Sequence, residues 1–349
     1  MNKTLVALIV AFACFCTTLF AQSEKLTAEE HYDQAEAFYK QGNYEKAIEI
    51  AKKAVLQQPR YAEAHLLLAQ SYQKKGLYTQ AESSCNKSIE FQKNNPEAYR
   101  ILGDIFTHNS KPDKAIEEYK KAIKNNPDYA EAYYGMAKAY QSKKDKFSEN
   151  YAIEAYRKVL DLEPSFWEAN LALGDIYKQR QNFEKATEYY EDLTNAKPDY
   201  IEGYLLLGDC YRRQQEYSAA ISTFNKIFNY SNNNAEACLN IGMCYKDENQ
   251  LDKALEYYQE ALKYKPDYAE AYFNIGYIYN RKSDYDKAIE YYEKATAVKK
   301  DYAEAYYNIG SVYNMKGMTQ KKILAYKKAA RLGSSLAQQW LKKNGMTWN

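Results

Sequence analysis

A small residue, Gly or Ala, returns at a fixed interval along almost the whole chain: Ala35, Ala69, Gly103, Ala137, Gly174, Gly208, Gly242, Gly276 and Gly310. Every step is 34 residues except Ala137 to Gly174, which is 37. The stretch 269–302, AEAYFNIGYIYNRKSDYDKAIEYYEKATAVKKDY, shows the unit in full. Its Asn-Ile-Gly at Gly276 returns at Gly242 and Gly310, and its Tyr279 at Tyr245 and Tyr313. Its Ala288 and Tyr292 return at Ala254 and Tyr258. A unit this short cannot bury an apolar face alone, so neighbouring copies must share one core. By length alone 349 residues suggest two ordinary domains; the repetition overrides that expectation.

With the small residue taken as position 8, each unit reads as two helical patterns separated by a polar turn. Positions 4, 7 and 11 of the first are apolar or aromatic, as in Tyr306, Ile309 and Tyr313, and fall on one stripe. Position 8 lets the partner helix approach closely. Position 20 is Ala in eight copies and position 24 is larger, as in Ala115 and Tyr119, Ala186 and Tyr190, and Ala220 and Phe224. That pattern predicts a crossing point with no spare room, where a bulky residue at Ala220 overpacks at a cost of about 1–3 kcal/mol. Position 32 is Pro at Pro59, Pro127, Pro164, Pro198 and Pro266, which stops the second helix. Tyrosine, with 38 copies against 12 Phe and 3 Trp, recurs at fixed phases and is a packing residue first.

Aromatic, Leu/Ile-Gly, Tyr, Ala, aromatic and Pro at these spacings resemble the tetratricopeptide repeat (TPR) family, most closely at Tyr272, Ile275, Gly276, Tyr279, Ala288 and Tyr292. The resemblance implies an all-α, right-handed superhelical solenoid of nine helical hairpins: 28–61, 62–95, 96–129, 130–166, 167–200, 201–234, 235–268, 269–302 and 303–336. A helix over 335–344, with Leu336, Trp340 and Leu341 on one side, is expected to cap the end, before a frayed tail at 346–349. Three departures stand out. Extra residues within 142–150 are expected to lengthen the turn of the fourth repeat. Asn232-Asn233-Asn234 stands where a proline is usual, and Lys322 where Ala is.

Residues 1–21 differ from the rest. Lys3 precedes an almost wholly apolar run, Leu5 to Phe20, with Ala21 before Gln22; this is the layout of a secretory signal peptide. The run is shorter than the ~20 residues that span a bilayer. Its removal leaves no hydrophobic stretch of comparable length, so no transmembrane span is expected in the mature chain, and an exported protein, periplasmic or secreted, is. A lipid-anchored form, acylated at Cys14 or Cys16, is the alternative. Net charge falls from +2 to +1 with Lys3, which argues against a nucleic-acid partner. Cys85, Cys210, Cys238 and Cys244 fall on packing phases and read as buried thiols, with a Cys210–Cys238 bridge left open.

No catalytic constellation, metal-ligand spacing or cofactor motif is present, so the expectation is a non-enzymatic chain without cofactor or metal. His31 and His65 sit at position 4, a packing phase. Position 2 is Glu in all nine copies, and Asp128, Asp199, Asp267 and Asp301 each lie three residues before one of them. Asp-x-x-Glu fits a capping box, a reading preferred here over an acidic line facing a ligand. In the TPR family, positions 2, 5, 6, 9, 12 and 13 face a concave groove. Peptide-binding candidates there are Leu239, Asn240, Met243, Phe273, Asn274, Tyr277, Tyr307, Asn308 and Ser311. A row of Asn can bond a peptide backbone whatever its sequence, with aromatic and apolar neighbours holding side chains. Lys178, Arg212 and Lys246 at position 12 form a secondary basic row, with Asp175 and Asp209 placed to pair with the first two along the helix. The acidic position 2 argues against a family specialisation for carboxylate-ended chaperone tails, which uses a basic residue there. The resemblance thus implies a scaffold or adaptor that binds a protein or peptide partner.

Overall fold

The computed structural model describes residues 26–348; the leader assigned to 1–21, with Cys14 and Cys16, lies outside them. The described residues are all-α. Nine consecutive helix pairs run α1 (Ala28–Lys40) and α2 (Tyr44–Gln57); α3 (Ala62–Lys74) and α4 (Tyr78–Phe91); α5 (Pro96–His108) and α6 (Pro112–Asn125); α7 (Ala130–Ser142) and α8 (Lys146–Leu162); α9 (Trp167–Gln179) and α10 (Phe183–Ala196); α11 (Ile201–Arg213) and α12 (Tyr217–Lys226); α13 (Ala235–Asp247) and α14 (Leu251–Tyr264); α15 (Ala269–Arg281) and α16 (Tyr285–Val298); α17 (Ala303–Met315) and α18 (Thr319–Arg331). A single 3-10 turn, Ile227–Asn229, succeeds α12, and α19 (Ser335–Lys343) closes the series. Two compact units divide between Ala169 and Asn170. The core of the first runs from Leu67, Ile101 and Ile105 to Ile116 and Tyr119. That of the second runs through Phe224 and Ile241, Tyr258 and Ile275, Tyr292 and Ile309, to Tyr326 and Leu341.

Within every hairpin the turn shares one backbone feature. Position 15 adopts positive φ in all nine copies, yet only Gly42, Gly76 and Gly317 are glycine; Ser110, Lys144, Gln181, Gln215, Asn249 and Ser283 take the same left-handed conformation. At Gln215 the hydrogen bonds explain why. Its N–H donates to the Arg212 carbonyl at 3.0 Å, and the Glu216 N–H donates to the Tyr211 carbonyl at 2.9 Å. This is the Schellman closure, which satisfies the last carbonyls of the first helix. Side chains other than glycine adopt it at a cost of about 1–2 kcal/mol.

The close approach expected at positions 8 and 20 is present. All eight position-20 alanines are fully buried. The glycines at position 8 lie against the ring at position 24 of the same hairpin, as Gly242 does against Tyr258, where an added Cβ would come within 2.6 Å of the ring. Hairpins one and two solve the same problem with two small residues, Ala35 with Ala51 and Ala69 with Cys85. The fourth hairpin combines Ala137 with Tyr156, and its second helix differs in length.

That difference corrects the expectation for the three extra residues. The turn is not lengthened: Lys144 takes the same left-handed conformation as position 15 of every other repeat, and α8 begins at the usual position 17. The helix itself grows, to 17 residues against 14 in α6. Three residues make nearly one turn, so the apolar stripe of α8 returns almost to its old bearing. The added turn carries Phe147 and Tyr151 into solvent, 80% and 54% exposed.

The end of the second unit also departs from expectation. Ala337 and Leu341 are the buried residues of α19, and Trp340 packs against Tyr326, but Leu336 points outward at 57% exposure. The described part of the tail, 346–348, is not frayed: Met346 and Trp348 pack on the same cluster, and the Arg331 guanidinium donates to the Trp348 carbonyl. Lys322 replaces alanine because its ammonium lies over the Trp340 ring, 4.9 Å from the centroid, and donates to Asn314.

Candidate functional site

The predicted groove residues of repeats seven to nine lie on α13, α15 and α17 of the second unit. Asn240 and Asn274 are partly exposed, and each turns its amide back on its own helix. Asn240 Nδ2 donates to the Glu236 carbonyl at 2.9 Å, and Asn274 Nδ2 to that of Glu270 at 2.8 Å. Their Oδ1 atoms are therefore the outward groups, and Asn274 Oδ1 accepts from Lys246 Nζ at 3.4 Å. Asn308 repeats the position one step on. Met243 and Tyr277 are half-buried beside them. Position 5 serves packing instead. Leu239 is 7% exposed and belongs to the core, Phe273 stacks on Tyr302 at 5.1 Å, and Tyr307 stacks on Tyr326 at 5.2 Å. Ser311 Oγ lies 3.2 Å from the Tyr326 hydroxyl.

The basic row keeps the expected intrahelical pair at Arg212 and Asp209 but not at Lys178 and Asp175. Lys178 reaches Asp209 of the next repeat at 3.3 Å, while Asp175 accepts from the Tyr190 hydroxyl at 2.6 Å. Arg212 bonds both Asp209 at 3.0 Å and Asp247 of the next repeat along at 2.9 Å. Burial opposes ionisation of Asp209, but Lys178 and Arg212 outweigh it and hold its pKa below the ordinary value. Lys246 has Asp247 as its carboxylate neighbour, at 3.9 Å, besides its bond to Asn274.

The capping account of the position-2 glutamates is overturned. The N-caps of α7, α11, α15 and α17 are Tyr129, Tyr200, Tyr268 and Tyr302, none with a side-chain cap, so the aspartates lie one residue too early. A capping box is formed by Thr27 with Glu30. The tyrosines hold the cap position because their rings pack on the preceding repeat, as Tyr61 does on Tyr32 at 5.4 Å. The glutamates instead flank these phenols. Burial first, then Glu236 and Glu270, push the Tyr268 hydroxyl up to about 12. Burial, with Glu202 one repeat away, raises the Glu236 carboxyl.

In the first unit a polar cluster escaped sequence inspection. Arg100, at a phase where most repeats carry Leu, Phe or Tyr, forks onto Glu97 at 2.6 and 3.0 Å and onto Asp104 at 2.6 Å. Asp104 also accepts from the Tyr119 hydroxyl at 2.7 Å and from Gln73 at 3.1 Å. Burial disfavours the guanidinium charge, but Glu97 and Asp104 reverse this and hold Arg100 ionised. The cluster floors a cavity of about 790 Å³ edged by Lys74, His108, Glu131, Lys138 and Glu168. The deviant residue at position 5 was the available signal.

All four described thiols are free and buried, and burial pushes Cys210 up to about 12 and Cys238 up to about 11. His65 is buried, its Nε2 2.9 Å from the Pro59 carbonyl, and burial lowers its pKa. Among the described residues no group of three or more His, Cys, Asp or Glu is placed to hold a metal ion, and no helix is long and apolar enough to cross a membrane.

Paired helices that repeat every 34 residues and share their cores with their neighbours define an all-α repeat solenoid. Models of the tetratricopeptide repeat match residues 38–105, 151–210, 201–234, 239–301 and 283–337, and a TPR repeat model matches 103–144. The chain is thus built of tetratricopeptide repeats, the fold of protein–protein interaction scaffolds. It shares its fold with the C-terminal part of a TPR repeat-containing protein from Cytophaga hutchinsonii, at 21% identity over 68% of this chain and 96% of that one, TM-score 0.58. MamA is 29% identical over 48% of this chain and 97% of its own, TM-score 0.41. Yeast Tom70 is 14% identical over 92% and 88%, TM-score 0.48. No curated protein matches the chain in sequence.

Proposed function

We propose that the chain is a non-catalytic adaptor whose first-helix face in repeats seven to nine holds an extended peptide segment of a partner protein. The observation that carries this is the orientation of Asn240 and Asn274. Both amides are tied back to their own helix, so both carbonyl oxygens are held outward at one-repeat spacing, beside half-buried Met243 and Tyr277. Outward acceptors at a regular step suit the N–H groups of an extended backbone, and the adjoining apolar surface suits its side chains. Asn240→Ala, Asn274→Ala and Asn308→Ala together should reduce the proteins retained by the immobilised chain while helicity is unchanged. Equal retention would remove this face from consideration.

The apolar leader supports an exported protein, periplasmic or secreted, working in a cell-envelope assembly. Mass spectrometry of the mature amino terminus tests this: Gln22 as first residue fits a soluble exported form, and an acylated cysteine a lipid-anchored one.

A further inference from the structure

Of the position-24 tyrosines, Tyr156 donates to Gln141 at position 12, 3.0 Å away, and the others divide into two groups. Tyr119 donates to Asp104 at 2.7 Å and Tyr190 to Asp175 at 2.6 Å, in each case the position-9 carboxylate of the same repeat. Tyr326 meets Ser311 at that position, 3.2 Å away. Tyr258 and Tyr292 are fully buried, and neither hydroxyl has a hydrogen-bond partner among the described residues. Their rings lie against Gly242 and Gly276 as the Tyr190 ring lies against Gly174, which delivers the hydroxyl beside position 9. There repeats seven and eight carry Met243 and Tyr277.

The cations that would accompany a carboxylate are retained. Lys246 lies 5.7 Å from the Tyr277 ring centroid, with its one carboxylate neighbour, Asp247, at 3.9 Å. Arg281 donates to the Tyr277 hydroxyl at 3.1 Å and pairs with no carboxylate among the described residues. Repeats seven and eight thus hold two buried hydroxyl donors without a partner and two cations without a close carboxylate, while the position-9 acid of repeats three, five and six is missing. A buried hydroxyl without a partner is costly, and its best partner is an anion.

We infer that repeats seven and eight take side-chain carboxylates from an acidic, extended segment of a partner protein, one at the Tyr258 hydroxyl and one at that of Tyr292. This rests on the peptide-groove reading above and specifies the chemistry of its occupant. Two equivalent donors one repeat apart call for two acids along one segment, which a single chain terminus cannot supply. Met243, unbranched and partly exposed, is the side chain that swings aside to admit the first.

Fluorescence anisotropy with a short, labelled, C-terminally amidated peptide of alternating Glu and Ala, against its Gln counterpart, tests the inference. The protein should prefer the Glu peptide by about tenfold or more. Tyr258→Phe with Tyr292→Phe should erase most of that preference while the thermal midpoint holds or rises, because only unpaired hydroxyls are removed. Met243→Asp, which builds the acid of repeats three and five into repeat seven, should raise the midpoint and weaken the Glu peptide. No preference in the parent chain, or an undiminished preference in the double Phe variant, overturns the inference. If the double Phe variant binds normally while the triple Asn variant loses its retained proteins, the groove stands and the hydroxyl assignment falls. If the triple Asn variant keeps them, the groove reading itself falls.

Discussion

Gly208→Ala separates two contributions of opposite sign. A Cβ at Gly208 would lie 2.4 Å from Phe224 Cε1, 2.5 Å from Cζ and 2.8 Å from Cδ1. Carbon atoms in contact prefer about 3.5–4.0 Å, so the overlap approaches 1 Å on three atoms of one ring. Phe224 is fully buried and bounded by Ala220 and Ile227, so the ring cannot swing clear. Overpacking of this kind costs about 1–3 kcal/mol, and a rigid ring places it in the upper half of that range. Helix propensity favours the alanine by about 0.5–1 kcal/mol. The net expectation is a loss of about 1–2 kcal/mol. The same change at Gly276 meets Tyr292 at 2.8, 2.9 and 3.1 Å and should cost less. Urea unfolding monitored by far-UV circular dichroism measures both, read as midpoint shifts because repeat arrays need not unfold in one step. Trimming the ring in Gly208→Ala with Phe224→Leu should show favourable coupling in a double-mutant cycle. A rise in midpoint for Gly208→Ala, as propensity alone demands, would refute the packing argument.

Gln215→Gly should stabilise the chain by about 0.5–1 kcal/mol, because it relieves a left-handed residue at φ 64° and gives back only part of that in unfolded-state entropy; the same unfolding experiment reads it. Glu236→Gln should raise the thermal midpoint near neutral pH. Burial and Glu202 raise the native carboxyl pKa, so the parent loses stability as pH climbs through the carboxylate range, and the variant's advantage should vanish below about pH 4.

The hairpin architecture was legible because its cause is local and repeated: small residues at positions 8 and 20 declare close helix crossings, and nine copies declare them together. The features that escaped depend on neighbours. Asp-x-x-Glu looks like a capping box in one dimension, but the intervening tyrosine takes the cap because its ring finds the previous repeat. Leu336 matches a helical stripe with Trp340 and Leu341, yet Ala337 supplies the tighter contact and the helix rolls accordingly. Lys178 has an acid three residues earlier, but Tyr190 claims it, so the lysine crosses to Asp209. At the candidate site, residue identities at position 9 were visible. Their meaning was not, since it lies in which tyrosines their absence of charge leaves unpaired.

The overgrown α8 bears on how such a chain can change length. An insertion of three residues rotates the remainder of its helix by about 300°, and four by about 400°, both close to a full revolution; two would rotate it by about 200° and turn the oily side to water. Hairpins of this kind should therefore lengthen in steps of three or four residues, never one or two. Each tolerated step leaves an overhang, as with Phe147 and Tyr151, on which selection can build a new contact while the stack beneath stays intact.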